Sequence, residues 1–393
     1  LNTAQLASLS SSATMALTVT QIAALETRDL ANLTTANFAV LFSTQVGALT
    51  TAQLVSLKSD ALASLSTSAL AGLTSSQIVA LTTEQVFNLT SVAVEALSTS
   101  QIKALHTADI AALSTTGASA LTSAQVKVLS TNQVLALEIA DVGVLSAEAV
   151  RGFTSTQVKA LTTSQIAALN TVQASDLTTS FVKSLSTSQV AALETRDVAV
   201  MSAASIAALS STQWAAVTTA QIVGLTTQQV NELNTSSLKS LSTKQIAALE
   251  TSDVAALTVA NLTSLSTSQW GAFTTSQIAG LSTAQVANLS TSSLQTLNTV
   301  QVGALETRDI AVLSLEQIQA LTTTQMVALT SHQVSNLSGT TLGYLSTSQI
   351  LALETSDFAS LSTSSLPSLT DVQLGALSSA QVSALSTTQL MTL

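Results

Sequence analysis

Leucine returns at every eighth residue of this chain, from Leu1 and Leu9 to Leu393, and the register never slips across 393 residues. The four departures, Phe153, Met201, Val217 and Phe273, are all apolar. With leucine as position 1, positions 2 and 3 are mostly Ser or Thr, and position 5 is most often Gln, sometimes Asp. Position 6 is Ile, Val or Leu almost throughout, with Phe38, Trp214, Trp270 and Phe358 as large variants and Thr14, Ala118 and Ala174 as weak points; positions 7 and 8 are mostly small. An eight-residue unit is too short to bury its own apolar face. A chain built from such units must stack them on one another, which confines it to a solenoid-like architecture.

The spacing separates helix from strand. Positions 1 and 6 are five residues apart, and position 6 is three from the next position 1, whereas strict alternation needs even steps. With the N-cap at position 2, a Ser or Thr hydroxyl accepts from the N3 backbone N–H, and Gln at position 5 is itself N3, able to reach back to the N-cap N–H. Position 1 then becomes N′ and position 6 becomes N4, the two ends of a hydrophobic staple. In residues 185–192, Ser186 and Gln189 form the box and Leu185 and Val190 the staple. Each octad therefore predicts one helix of about five or six residues, marginal alone. The expected fold is all-α, a solenoid of very short capped helices, one per eight-residue repeat, forming a single continuous array over 1–393 with no separate domains. A β-solenoid is the alternative, since Thr, Val and Ile favour strands and an inward Gln forms ladders. Abundant Ala and the absence of Asn-Gly and Asp-Gly turns count against it.

Composition narrows function mostly by exclusion. Apolar residues make up 46% of the chain, enough for a large core, while charged residues are only 8%. The net charge of −10 is spread thinly and Lys and Arg never cluster, so no nucleic-acid partner is expected. Ser, Thr and Gln interrupt every apolar stretch, so no membrane-spanning segment is expected. There is no cysteine. The chain starts and stops inside its repeat, as a segment of a longer protein would.

A longer period lies over the octads. Glu-x-x-Asp replaces the usual box at Glu26/Asp29, Glu138/Asp141, Glu194/Asp197, Glu250/Asp253 and Glu306/Asp309, all separated by multiples of 56 residues, or seven octads. Trp214 and Trp270 are 56 apart, as are Lys103 and Lys159, and Lys127, Lys183 and Lys239 follow one another at the same step. Either a seven-octad block was duplicated, or seven octads complete a whole number of superhelical turns, for which three and a half octads per turn is one solution. Asp at N3 suits the helix dipole, but Glu is a poor N-cap. Three readings of these acids stand open. They meet Arg28, Arg196 or Arg308 on a neighbouring turn or molecule; they bind Ca²⁺, a cation that favours carboxylate oxygens; or they form a solvated stripe. No other metal or cofactor is expected.

No catalytic constellation is legible, and the chain is not expected to be an enzyme. His106 replaces the N-cap of its octad and His332 stands at an outward position 4. No Ser/His/Asp set, nucleophile elbow or phosphate loop is present. Asn32, Asn88 and Asn261 open Asn-Leu-Thr sequons, which leaves a glycan as a partner.

The L-[ST]-[ST]-x-Q-[IV] tract, as in residues 241–248, resembles the Ser/Thr/Ala-rich repeat arrays of very large secreted or surface proteins of Gram-negative bacteria. That resemblance implies an adhesin, surface layer or fibre outside the cell. The octad itself implies a self-stacking scaffold. The expectations are a structural protein forming an extracellular filament or surface coat from copies of itself, or an adhesin stalk that binds a partner protein or glycan.

Overall fold

A computed structural model describes residues 3–393. It contains 48 α-helices of four to six residues and one short 3₁₀ helix, with no strand among the described residues. The octad is the helix. Thr187–Ala192 is typical: Ser186, extended at φ −71° and ψ 164°, is the N-cap. Its hydroxyl accepts from the Gln189 N–H at 3.2 Å, and Gln189 Oε1 accepts from the Ser186 N–H at 2.7 Å. The helix ends when Leu193 returns to extended backbone, its N–H donating to the Val190 carbonyl at 3.2 Å. No described residue, glycine included, has positive φ. Each bend is thus made from ordinary α and extended backbone, without the left-handed C-cap that usually calls for glycine. This is why so many bends need only 12 glycines.

The chain packs as two compact units, Leu1–Ala208 and Leu209–Leu393, divided at an octad boundary. Within each unit a helix packs against the third one after it, as Ser75–Ala80 does against Thr99–Ala104 and Thr267–Gly271 against Thr291–Thr296. Positions 1 and 6 face inward. Ile102 and Ile246 are wholly buried, and Leu105 and Leu249 nearly so. The large variants Trp214, Trp270, Phe38 and Phe358 fill the same core position, and Trp270 stacks on Phe273 with ring centroids 4.8 Å apart.

Position 5 joins the coils. In Gln277, Oε1 closes the local capping box on Thr274 at 2.8 Å. The amide nitrogen points the other way, donating to the carbonyls of Ile246 at 2.9 Å and Leu249 at 2.7 Å, which lie 31 and 28 residues earlier. Gln77 does the same to Val46 and Leu49, at the same separations. One coil is therefore 28 residues, three and a half octads, and every such amide sits over the joint between two octads of the coil before. Because a coil ends midway through an octad, an octad recurs on the same side only after two coils. Residues 56 apart, seven octads, therefore lie on the same side two coils apart.

Coils approach closely at the small positions. A Cβ added to Gly72 would collide with the Ser43 carbonyl oxygen of the preceding coil, whereas one added to Gly375 meets nothing within 4 Å. Gly72→Ala is expected to cost about 1–3 kcal/mol through overpacking. Gly375→Ala, within the helix Asp371–Gly375, should gain about 0.5–1 kcal/mol from helix propensity. Amide exchange of each variant's own coil measures both.

Pro367 marks a local failure of the rule. It stands at position 7, where the N–H of a helical residue would donate four residues back. Proline has no such donor and its ring clashes with that turn. The octad forms only the 3₁₀ helix Leu366–Ser368.

Candidate functional site

The octads that break the capping rule are the natural place to look for function. The hydroxyls of Ser and Thr N-caps accept from N3, but the glutamates at 26, 138, 194, 250, 306 and 354 make no side-chain cap bond. Their carboxylates turn outward. Where the octad reads Glu-Thr-Arg-Asp, the arginine takes the glutamate: Arg28 pairs with Glu26 at 2.8 Å, Arg308 with Glu306 at 2.8 Å, and Arg196 with Glu194. These pairs close inside one octad. Each guanidinium Nε also lies 3.9 Å from the neighbouring aspartate, Asp29, Asp197 or Asp309. An exposed pair of this kind contributes little stability, about 0–1 kcal/mol. A fourth arginine, Arg151, does bridge coils, reaching Asp176 at 3.3 Å; its octad lacks the Glu-x-x-Asp signature that would have pointed to it.

The aspartates go the opposite way. Asp197 and Asp309 are 0% exposed, and Asp141 and Asp253 1% exposed. They occupy the inward position of Gln, where the local and inter-coil bonds meet. Asp109, Asp141 and Asp309 keep the local bond, accepting from the backbone N–H of His106 at 2.9 Å, Glu138 at 3.3 Å and Glu306 at 3.1 Å. Asp253 takes the Thr227 hydroxyl at 3.0 Å. Burial pushes the carboxyls of Asp109, Asp141, Asp197, Asp253 and Asp309 above the ordinary carboxylate range. Backbone N–H donors, Arg196, Arg308 and the Thr227 hydroxyl oppose that shift only in part.

The lysines differ from the arginines. All four arginines are ion-paired, yet no lysine makes an ion pair among the described residues. Lys103, Lys127, Lys159 and Lys183 are exposed at position 7 of their octads. Residue number modulo 28 gives place around the coil: Lys103 and Lys159 fall at 19, and Lys127 and Lys183 at 15. No carboxylate of residues 1–208 falls between 12 and 24. The four ammonium groups thus form one carboxylate-free column, legible only once the coil circumference is known. Glu138 and Glu194 both fall at 26, on another flank, with the same 56-residue spacing as the lysine pairs. Glu138 also borders an open hollow lined by Leu135, Ile139 and Thr162.

The remaining expected residues are placed as follows. His106 is an N-cap without a side-chain cap bond, and His332 is exposed. Asn32 and Asn88 are exposed. Asn261 is 4% exposed and donates to the Leu233 carbonyl at 2.8 Å, so a glycan cannot reach it in the folded coil. No group of three or more His, Cys, Asp or Glu side chains suited to hold a metal ion occurs among the described residues. No helix among them is long and apolar enough to cross a membrane.

The repeat has known counterparts. A family described as the ALTTAQ repeat matches nine segments, 22–59, 56–91, 103–138, 134–171, 190–227, 227–259, 246–283, 302–339 and 350–387, which together cover more than half of the chain. No curated protein matches it.

Proposed function

The chain belongs to the ALTTAQ repeat family, and we propose that it is a structural array, outside the cell or on its surface, whose copies associate side by side. The lysine column supports this reading. Four unpaired ammonium groups stand in line on a flank free of carboxylates, on a chain whose net charge is −10. A second copy offers carboxylates at the matching spacing, because its Glu138 and Glu194, the latter shared with its own Arg196, recur at the spacing of Lys103/Lys159 and Lys127/Lys183. Two parallel copies would then repeat their opposite charges at one period. Opposite charges repeating at one period give register and orientation more than raw affinity. The hydroxyls of positions 2 and 3 keep the remaining surface solvated. The setting outside the cell follows from the resemblance of the repeat to secreted arrays.

Sedimentation velocity at low and high salt, with electron microscopy of the same samples, tests this. Association should be strong at low salt and fall as the screening length drops below about 8 Å. The Lys103→Glu/Lys127→Glu/Lys159→Glu/Lys183→Glu variant should sediment as a monomer at every salt concentration. Salt-independent monomers of the unsubstituted chain, seen as discrete particles, would favour the stalk reading instead.

A further inference from the structure

Asparagine and aspartate have the same size and differ by one donor, and position 5 reports that difference. Asn37 shows what the site asks of a side chain this short. Its Oδ1 accepts from the Thr34 N–H at 3.0 Å, and its Nδ2 donates to the carbonyl of Leu9, one coil earlier, at 3.1 Å. Asn261 makes the second bond to Leu233 at 2.8 Å, and even Ser205 reaches Leu177 at 2.7 Å. Gln, Asn and Ser all supply a hydrogen to the leucine carbonyl 28 residues back.

Asp141 and Asp309 reproduce the first of the two bonds with Oδ2. Their Oδ1 atoms are buried without a hydrogen-bond partner, and at Asp197 both carboxylate oxygens are so. The corresponding carbonyls, Leu113, Leu281 and Leu169, accept no hydrogen bond among the described residues. Leu169 and Leu281 are only 1% and 0% exposed, so water is excluded from them. An orphaned carboxylate oxygen therefore occupies the place of a donor, opposite an orphaned carbonyl oxygen. Leaving both unmet is costly for each group, and more so where one is charged.

We infer that Asp141, Asp197 and Asp309 are held as neutral carboxylic acids in the folded coil, each donating its proton to the leucine carbonyl one coil earlier, so that the array takes up protons and tightens as its medium acidifies. A protonated aspartate is the donor-bearing equivalent of Asn37. The charged surroundings are simple. Glu138 flanks Asp141 and favours the neutral acid. Glu194 and Glu306 do the same for Asp197 and Asp309, opposed by Arg196 and Arg308, which are already paired to those glutamates. The preceding-coil segments 110–113, 166–169 and 278–281 contain no ionisable side chain, nor do 166–172 and 334–340 in the coils that follow Asp141 and Asp309.

The direction of the pH effect follows from proton uptake. The folded acid holds a proton that the unfolded chain releases near pH 3.9. The stabilisation is complete below that value and is lost as pH rises through the higher folded pKa. For each unit between the two, the opening constant of the joint changes about tenfold.

The test is thermal unfolding of the full chain between pH 4 and pH 7, beside the Asp141→Asn/Asp197→Asn/Asp309→Asn variant. Glu84→Gln/Glu148→Gln/Glu232→Gln, which removes as many charges from exposed positions, is the control. The unsubstituted chain and the control should lose Tm as pH rises, while the Asn variant, which keeps only Asp109 and Asp253 of the burial-raised carboxyls, should lose clearly less and melt highest at pH 7. Carboxyl-carbon NMR should find the three aspartates still protonated well above about pH 3.9. Parallel pH profiles for all three proteins, or aspartates that titrate near 3.9, would overturn the inference. Asn37 and Asn261 already occupy this position, so failure of the variant to fold would itself count against it.

Discussion

Gln277→Glu is expected to open the joint between its coil and the one before at neutral pH, at a local cost of about 3 kcal/mol or more, and to restore it in acid. Gln and Glu have the same shape. The substitution exchanges the amide nitrogen that donates to Ile246 and Leu249 for an oxygen, at a site only 1% exposed. The Leu249 carbonyl loses its donor and an ionised carboxylate faces it, each a penalty of a few kcal/mol when buried. Below about pH 4.3 the side chain is protonated even in the unfolded chain, and it again carries a hydrogen for that carbonyl. Gln277→Leu separates the two contributions. It orphans the Leu249 carbonyl and the Thr274 N–H without adding charge, so its cost of about 2–4 kcal/mol should not depend on pH. Stacked repeats interact mainly with their neighbours, so the loss should remain local. Native-state hydrogen exchange of the helices Thr243–Ala248 and Thr275–Ala279 is the measurement. Unchanged protection at pH 7 in Gln277→Glu would show that the amide is not the tie.

Trp270→Ala is the second large effect, with an expected cost of about 3–5 kcal/mol. The indole is 0% exposed and fills the core at position 6, stacked on Phe273. Its removal leaves a cavity between the helices packed on either side, Thr243–Ala248 and Thr291–Thr296. Those two helices should lose exchange protection, whereas helices several coils away should keep theirs. Trp270→Phe should cost far less. It retains most of the volume and the stack, and the indole N–H that it deletes has no acceptor in the core. Equal losses from the two substitutions would mean that volume is not what holds this position.

The two halves of the position-5 glutamine show how much was legible and why the rest was not. Its Oε1 bond spans three residues, as between Gln189 and Ser186. Both partners lie within one octad, so the pattern could be read directly as a capping box. Its Nε2 bonds span 28 and 31 residues, and the acceptors are backbone carbonyls that leave no mark on residue identity. The aspartates follow from the same limit. Asp197 looked like a helix-dipole partner beside Arg196, but that arginine turned to Glu194 and the aspartate turned inward. The lysine column stayed hidden for the same reason, since 24- and 32-residue steps carry no meaning until a coil is known to contain 28.

Sequence by itself determined the octad helix, its caps, its staple and its inward face, because each rests on contacts closed within eight residues. Only the tertiary structure decided the circumference of the coil, the half-octad stagger, and which polar groups meet in the interior. Those depend on how closely small residues such as Gly72 let one coil approach the next, and on where that approach leaves each carbonyl in search of a hydrogen.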